Sequence, residues 1–134
     1  ENGQLDYIGN YVNGKKEGEH KWYHENGQIE KSLVYSGGKL FNAVESRDIN
    51  GRKLYTGTLK DGTGTAYIYH PNGVIEAIII MDEGKRLWVV HEQNNKGEPR
   101  KEPSTLNNGN GQIYWYENGT DIISSKSEYK DGII

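Results

Sequence analysis

The chain has 134 residues, a formal net charge of -3, 33% hydrophobic residues and no cysteine. These values exclude disulfides, thiol nucleophiles and cysteine-based zinc sites. They also argue against a generic nucleic-acid binder, which would carry a basic patch, and give no electrostatic reason to seek an anionic membrane.

The mean hydropathy is -0.90, so a large oily core is not expected. Ten Tyr and three Trp nevertheless set the chain apart from disordered sequences, which are poor in aromatics. The longest apolar run, Ala77–Met81, is far short of the roughly 18 residues of a spanning helix. The chain starts at Glu1 without Met, which fits a removed leader and a secreted or envelope location; an antitoxin would instead be cytoplasmic.

In chain order, the first thirty residues read ENGQLDYIGNYVNGKKEGEHKWYHENGQIE, three turn signals separated by short β-rich runs. Later segments with strand-forming residues are HKWYH (20–24), LVY (33–35), AYIYH (66–70), VIEAIII (74–80), LWVVH (87–91) and IYWY (113–116). Glycines mark the beat between them. One set is Gly3, Gly27, Gly51, Gly73, Gly97 and Gly119; the other is Gly14, Gly38, Gly62, Gly84, Gly109 and Gly132. Most follow Asn, Asp or Gly, the signature of type I′ hairpin turns, where both central residues need φ > 0. The spacing predicts an all-β chain of about a dozen short antiparallel strands. They form a meander of hairpins that makes one elongated, twisted, single-layer open sheet. The whole of 1–134 is one domain of about six hairpin units. Two stretches, Asp48–Gly62 and Lys96–Gly109, keep the beat without the aromatic half. Two prolines in 97–108 argue against a central strand there.

Treating Asn26-Gly27, Asn72-Gly73 and Asn118-Gly119 as two-residue turns sets a register. Tyr23 faces Glu30 and Trp22 faces Lys31; Tyr69 faces Glu76 and Ile68 faces Ala77. In the third hairpin Tyr116 faces Asp121 and Trp115 faces Ile122. A Tyr–carboxylate pair thus recurs. Alternation then assigns His20, Trp22, His24, Ile29, Leu33 and Tyr35 to one face, with Ala66, Ile68, His70, Ile75, Ile79 and Met81 as counterparts. That face is expected to pack. The other carries Lys21, Tyr23, Glu30 and Val34, matched by Tyr67, Tyr69, Glu76, Ile78 and Ile80, and stays mixed.

These residues resemble the bacterial variant of the MORN repeat. Its pattern is a Tyr-rich strand, ENG, an amphipathic strand ending in Tyr, then NGKKEG. Glu1–Glu30 meets it almost whole, and YHPNGVIE and YWYENG repeat it in degraded form. The resemblance implies a β-hairpin repeat serving as a scaffold or binding module. Some bacterial members are antitoxin or immunity components, and eukaryotic members have been linked to membranes and dimerisation. It implies no catalytic residue and no cofactor.

No residue set specifies a reaction, so a non-enzymatic module is expected, with another protein as partner. His24 and His70 sit at equivalent places, but no multidentate metal spacing appears. Glycosidases use paired acids, whereas here each hairpin carries only one, and no GxSxG elbow is present. GNGQ (109–112) and GTGT (62–65) lead into no helix and so are poor phosphate loops. NGT (118–120) fits a glycosylation sequon. The candidate binding surface is the aromatic set Trp22, Tyr23, Tyr67, Tyr69, Tyr114, Trp115 and Tyr116. Rival readings are a glycan or cell-wall binder using these rings, and a membrane-associated module. The sequence leaves the oligomeric state open.

Overall fold

A computed structural model describes residues 7–117 and 121–133. Nine strands occur among them, and no helix. They are β1 (Tyr7–Val12), β2 (Lys15–Tyr23), β3 (Ile29–Ser36), β4 (Lys39–Ser46), β5 (Gly64–Tyr69), β6 (Ile75–Asp82), β7 (Lys85–Val90), β8 (Gly111–Tyr116) and β9 (Ile123–Tyr129). Neighbours in sequence pair antiparallel, in sheets β1-β2-β3-β4, β5-β6-β7 and β8-β9. The all-β hairpin repeat is therefore the fold.

The two breaks between sheets fall in the stretches that lose the Tyr/Trp-rich half of the repeat, Tyr55 being the one aromatic in either. Residues 53–60 and 99–107 still run between neighbouring strands. They are held by isolated pairings such as Arg47 with Lys53, Gly57 with Ala66 and Gln93 with Pro99, and by single bonds such as those from the Thr58 and Thr105 N–H groups to the Thr65 and Gln112 carbonyls. Without alternating side chains to pack, these segments stay near the ladder but do not complete it.

The two glycine sets make two different turns. At one end, residues 13–14, 37–38, 61–62, 83–84, 108–109 and 131–132 all have φ > 0 at both positions, from 48° at Asn108 to 88° at Gly38. These are the expected type I′ turns. At the other end only the glycine is left-handed. The Gly27 N–H bonds the His24 carbonyl (2.9 Å), and the His24 N–H bonds the Gln28 carbonyl (2.8 Å). The same pair of bonds closes Asp48–Arg52, His70–Val74 and Asn94–Glu98. Each is a three-residue loop ending in a glycine bulge. The glycines at 3 and 119 lie outside the described residues.

This corrects the register next to those turns. Tyr23 faces Ile29 rather than Glu30, and Tyr69 faces Ile75 rather than Glu76. Glu30 and Glu76 are the extra residues of two bulges, so the Tyr–carboxylate pairs do not form. Beyond each bulge the expected pairs Trp22–Lys31 and Ile68–Ala77 are present. In the third hairpin Tyr116 faces Ile123 and Trp115 faces Ser125, instead of Asp121 and Ile122.

The face expected to pack does so. Tyr35, Leu40, Leu59, Ala66, Ile79 and Met81 form the main cluster, with Trp22, Leu33, Ile68 and Val89 against it. Leu106, Ile113 and Tyr129 form a second cluster. The accessible area is 7930 Å², about a tenth above the roughly 7,100 Å² of a compact globule of 15.2 kDa. The layer is thus thin but strongly curled, and residues of the first and last hairpins approach one another across its inner face.

Candidate functional site: a cationic trough on the inner face

Alternation along β2 puts Lys16, His20 and Trp22 on the inner face, and pairing brings Lys31, Leu33 and Tyr35 beside them. Curling sets β7 and β9 opposite. The result is a cavity of about 530 Å³ whose lining includes Lys15, Lys16, Lys39, Arg86, Tyr35 and Tyr129. A second cavity of about 370 Å³ continues from it and shares Lys16, Tyr35, Leu40 and Arg86. Its walls add Trp22, Lys31, Ile68, Ile79 and Trp115. Together they form one trough.

Lys16, Lys31 and Arg86 are held by rings, whereas Arg47, also in the wall of the smaller cavity, pairs with Glu45. The Lys16 ammonium lies 4.8 Å from the Tyr35 ring centre and 5.7 Å from that of Trp22; Lys31 lies 4.8 Å from Trp22. The Arg86 guanidinium donates to the Tyr129 hydroxyl at 3.1 Å. Such ring contacts are worth roughly 0.5–1 kcal/mol where exposed and more where dry. The ion pairs seen among the described residues involve Lys21, Arg47, Arg52 and Arg100 instead. Burial pushes the Lys31 ammonium below its ordinary pKa. Glu30 and Glu76 oppose that shift, while Lys16 and Arg86 add to it. Burial likewise raises the Tyr35 hydroxyl, against the pull of Arg86.

The expected aromatic surface is split between two faces. Trp22 and Trp115 line the trough. Tyr23, Tyr67, Tyr69, Tyr114 and Tyr116 alternate to the other side of their strands, half-buried, and Tyr67 and Tyr69 also border the smaller cavity. Tyr55 meets Tyr67 edge-on, with ring centres 5.0 Å apart, and Tyr69 lies tilted beside Tyr67 at 6.3 Å. The Tyr69 hydroxyl donates to the Tyr55 carbonyl at 2.6 Å, and the Tyr116 hydroxyl donates to that of Glu102. Each therefore ties one irregular segment to the following strand. Tyr69→Phe keeps the ring and loses this bond. Thermal unfolding should show a loss of about 1 kcal/mol, with hydrogen exchange faster in 53–60.

The histidines are structural. His20 is fully buried; its Nε2 contacts the Asn10 carbonyl at 2.9 Å and its Nδ1 the Tyr7 hydroxyl. His24 and His70 each reach the following turn unit, at the carbonyls of Arg47 (2.8 Å) and Gln93 (2.9 Å). Their turn asparagines do the same, Asn26 to Ile49 and Asn72 to Asn95. The alternate turns close on themselves. Asp48 Oδ1 accepts from the N–H groups of Asn50 and Arg52, and Asn94 Oδ1 from those of Lys96 and Glu98. No group of three or more His, Asp or Glu side chains is placed to hold a metal among the described residues.

Hydrogen bonds from the Arg52 backbone, then from Asn50, hold the Asp48 carboxyl below the ordinary carboxylate range. A depressed folded pKa contributes stability above the unfolded value, and that stability is lost as pH falls below about 4. Asn94 already makes the equivalent turn without a charge. Asp48→Asn should therefore keep the turn and shallow the acid limb of a stability–pH curve. An unchanged acid limb would contradict this.

The sequence profile of the MORN repeat variant matches residues 16–36 and 63–82. These stretches hold β2–β3 and β5–β6 with their bulged loops. No curated protein and no solved structure matches the chain. These two hairpins are thus similar to the MORN repeat variant.

Proposed function

We propose that the chain is a non-enzymatic repeat module that binds another protein in its inner trough. The observation that carries this reading is the trough itself. It is open, is lined by residues from the first to the last hairpin, and displays Trp22, Trp115 and cations that make no ion pair among the described residues. Tryptophan and arginine in a concave, partly dry setting are the residue types that carry binding energy. The test is affinity purification from the native cell with three forms of the chain. A partner retained by the unaltered chain and by Tyr55→Ala, but lost by Trp22→Ala/Trp115→Ala, supports the trough. Retention by the double variant sinks it. An antitoxin or immunity role is one form of this reading, supported if the neighbouring gene encodes a toxin that this chain neutralises.

A second reading has its own observation. Tyr55 is 58% exposed and meets Tyr67 edge-on, so it offers a solvent-open ring of the kind that sugar rings lie against. Retention on cell-wall polysaccharide that falls with Tyr55→Ala would favour a glycan binder. Unchanged retention would remove that reading.

A further inference from the structure

We infer that the trough takes an acidic peptide segment of the partner, with carboxylates in the larger chamber and an apolar or aromatic side chain in the smaller one. This rests on the protein-binding reading and deepens it.

Charge points to such a ligand. The chain carries 19 acidic and 16 basic side chains. Yet, among the described residues, the chamber of about 530 Å³ is lined by four cations, Lys15, Lys16, Lys39 and Arg86, and by no carboxylate. Three of them come from strand starts at the type I′ end: Lys15 opens β2, Lys39 opens β4, and Arg86 is second in β7. Turn stacking gathers them. The Gly84 N–H bonds the Gly62 carbonyl, and a Cβ on Gly84 would lie 2.7 Å from the Lys39 stem. Like charges held together with no internal counter-ion favour an external one.

Direction comes from the far end. Lys31 and Arg47 share the smaller chamber with Glu30 and Glu76, whereas no carboxylate lines the larger one among the described residues. Carboxylates of a ligand are therefore drawn more strongly to the Lys15–Arg86 chamber. The smaller chamber is bounded by Trp22, Leu33, Ala66, Ile68, Ile79 and Trp115, and suits a ring or branched side chain. An extended peptide, at about 3.3 Å per residue, presents both kinds of side chain within a few residues.

The probe is the fluorescein-labelled hexapeptide EEDELW, read by polarisation, with KKRKLW as its charge-reversed partner. Expected is saturable binding of EEDELW that weakens at least about tenfold between 50 and 300 mM NaCl, with no binding of KKRKLW. Lys15→Glu/Lys39→Glu, both at exposed positions, should weaken it by about tenfold or more. Lys60→Glu, outside the trough, should leave it unchanged. Lys16→Glu/Arg86→Glu adds a deeper pair, checked for folding by circular dichroism. Equal binding of the two peptides, or insensitivity to Lys15→Glu/Lys39→Glu, overturns the inference. So does retention on anionic liposomes without peptide binding. If the native partner is lost with Trp22→Ala/Trp115→Ala while EEDELW fails to bind, the acidic assignment falls and the protein-binding reading stands.

Discussion

Ile79→Ala is expected to cost about 3 kcal/mol, within the range of 2–5 for buried isoleucine, measured by urea unfolding. Ile79 is 1% exposed at the middle of β6, opposite Ala66 on one side and Val89 on the other. Both neighbours sit on regular strands, and Ala66 has no longer side chain to move into the gap, so the cavity cannot collapse easily. The main cluster holds only six buried residues, so no neighbouring layer makes up the loss. Against a typical total of 5–15 kcal/mol, this single change would threaten folding. Ile78→Ala, on the outer face of the same strand, should cost about 1 kcal/mol, because its side chain is only half-buried. Equal costs at the two positions would mean that the inner face is not the core.

Gly64→Ala should cost a similar amount, about 2–4 kcal/mol, for a different reason. Gly64 opens β5 at φ = 125°, and a Cβ there would lie 2.6 Å from the Thr58 carbonyl oxygen. That conformation belongs to glycine alone, so asparagine gives no relief. The neighbour is backbone and cannot swing away. Gly111 opens β8 in the same way, with φ = 126° and a Cβ 2.5 Å from the Thr105 oxygen. Both close approaches let an irregular segment cross the start of the next strand. Gly14→Ala is the control. It has φ = 80° and open space around it, so only the left-handed strain of about 1–2 kcal/mol applies. If Gly64→Ala were as mild as Gly14→Ala, the crossing of segment 53–60 would be wrong.

Much of the fold is legible in the sequence because glycine, asparagine and aromatic residues recur on a beat. Positions such as Asn13, Asp61 and Asp131 do adopt φ > 0, as Asn-Gly and Asp-Gly lead one to expect. The same letters mislead at Asn26 and Asn72. There the preceding His is buried and bonded across to the next unit, and this draws the loop into a longer form with a bulge. Nothing in a single Asn-Gly pair distinguishes the two cases; the polar residue two positions earlier does, His24, Asp48, His70 or Asn94 at the bulged loops against an apolar residue or Tyr before the type I′ turns. The bulges then move Glu30 and Glu76 out of register with Tyr23 and Tyr69 while leaving Trp22–Lys31 intact. Periodicity sets faces over several residues and is blind to a local insertion of one.

The trough is less legible. Gly-Lys pairs at 14–15 and 38–39, and Arg86 two residues after Gly84, are the available signal, since each places a cation just after a type I′ turn. Their convergence depends on how the sheet curls, a property of many small twists that no short motif encodes. Composition alone makes one surface of Trp22, Tyr23, Tyr67, Tyr69, Tyr114, Trp115 and Tyr116. Strand alternation instead divides the set, and the Tyr69 and Tyr116 hydroxyls are occupied in holding backbone.

The proposed function turns on which face meets the partner, the inner trough or the outer tyrosines. Photo-crosslinking in the native cell, with a benzophenone amino acid at position 22 or at position 55, separates the two. A discrete protein adduct from position 22 and none from position 55 is expected. An adduct from position 55 alone would contradict the assignment to the trough.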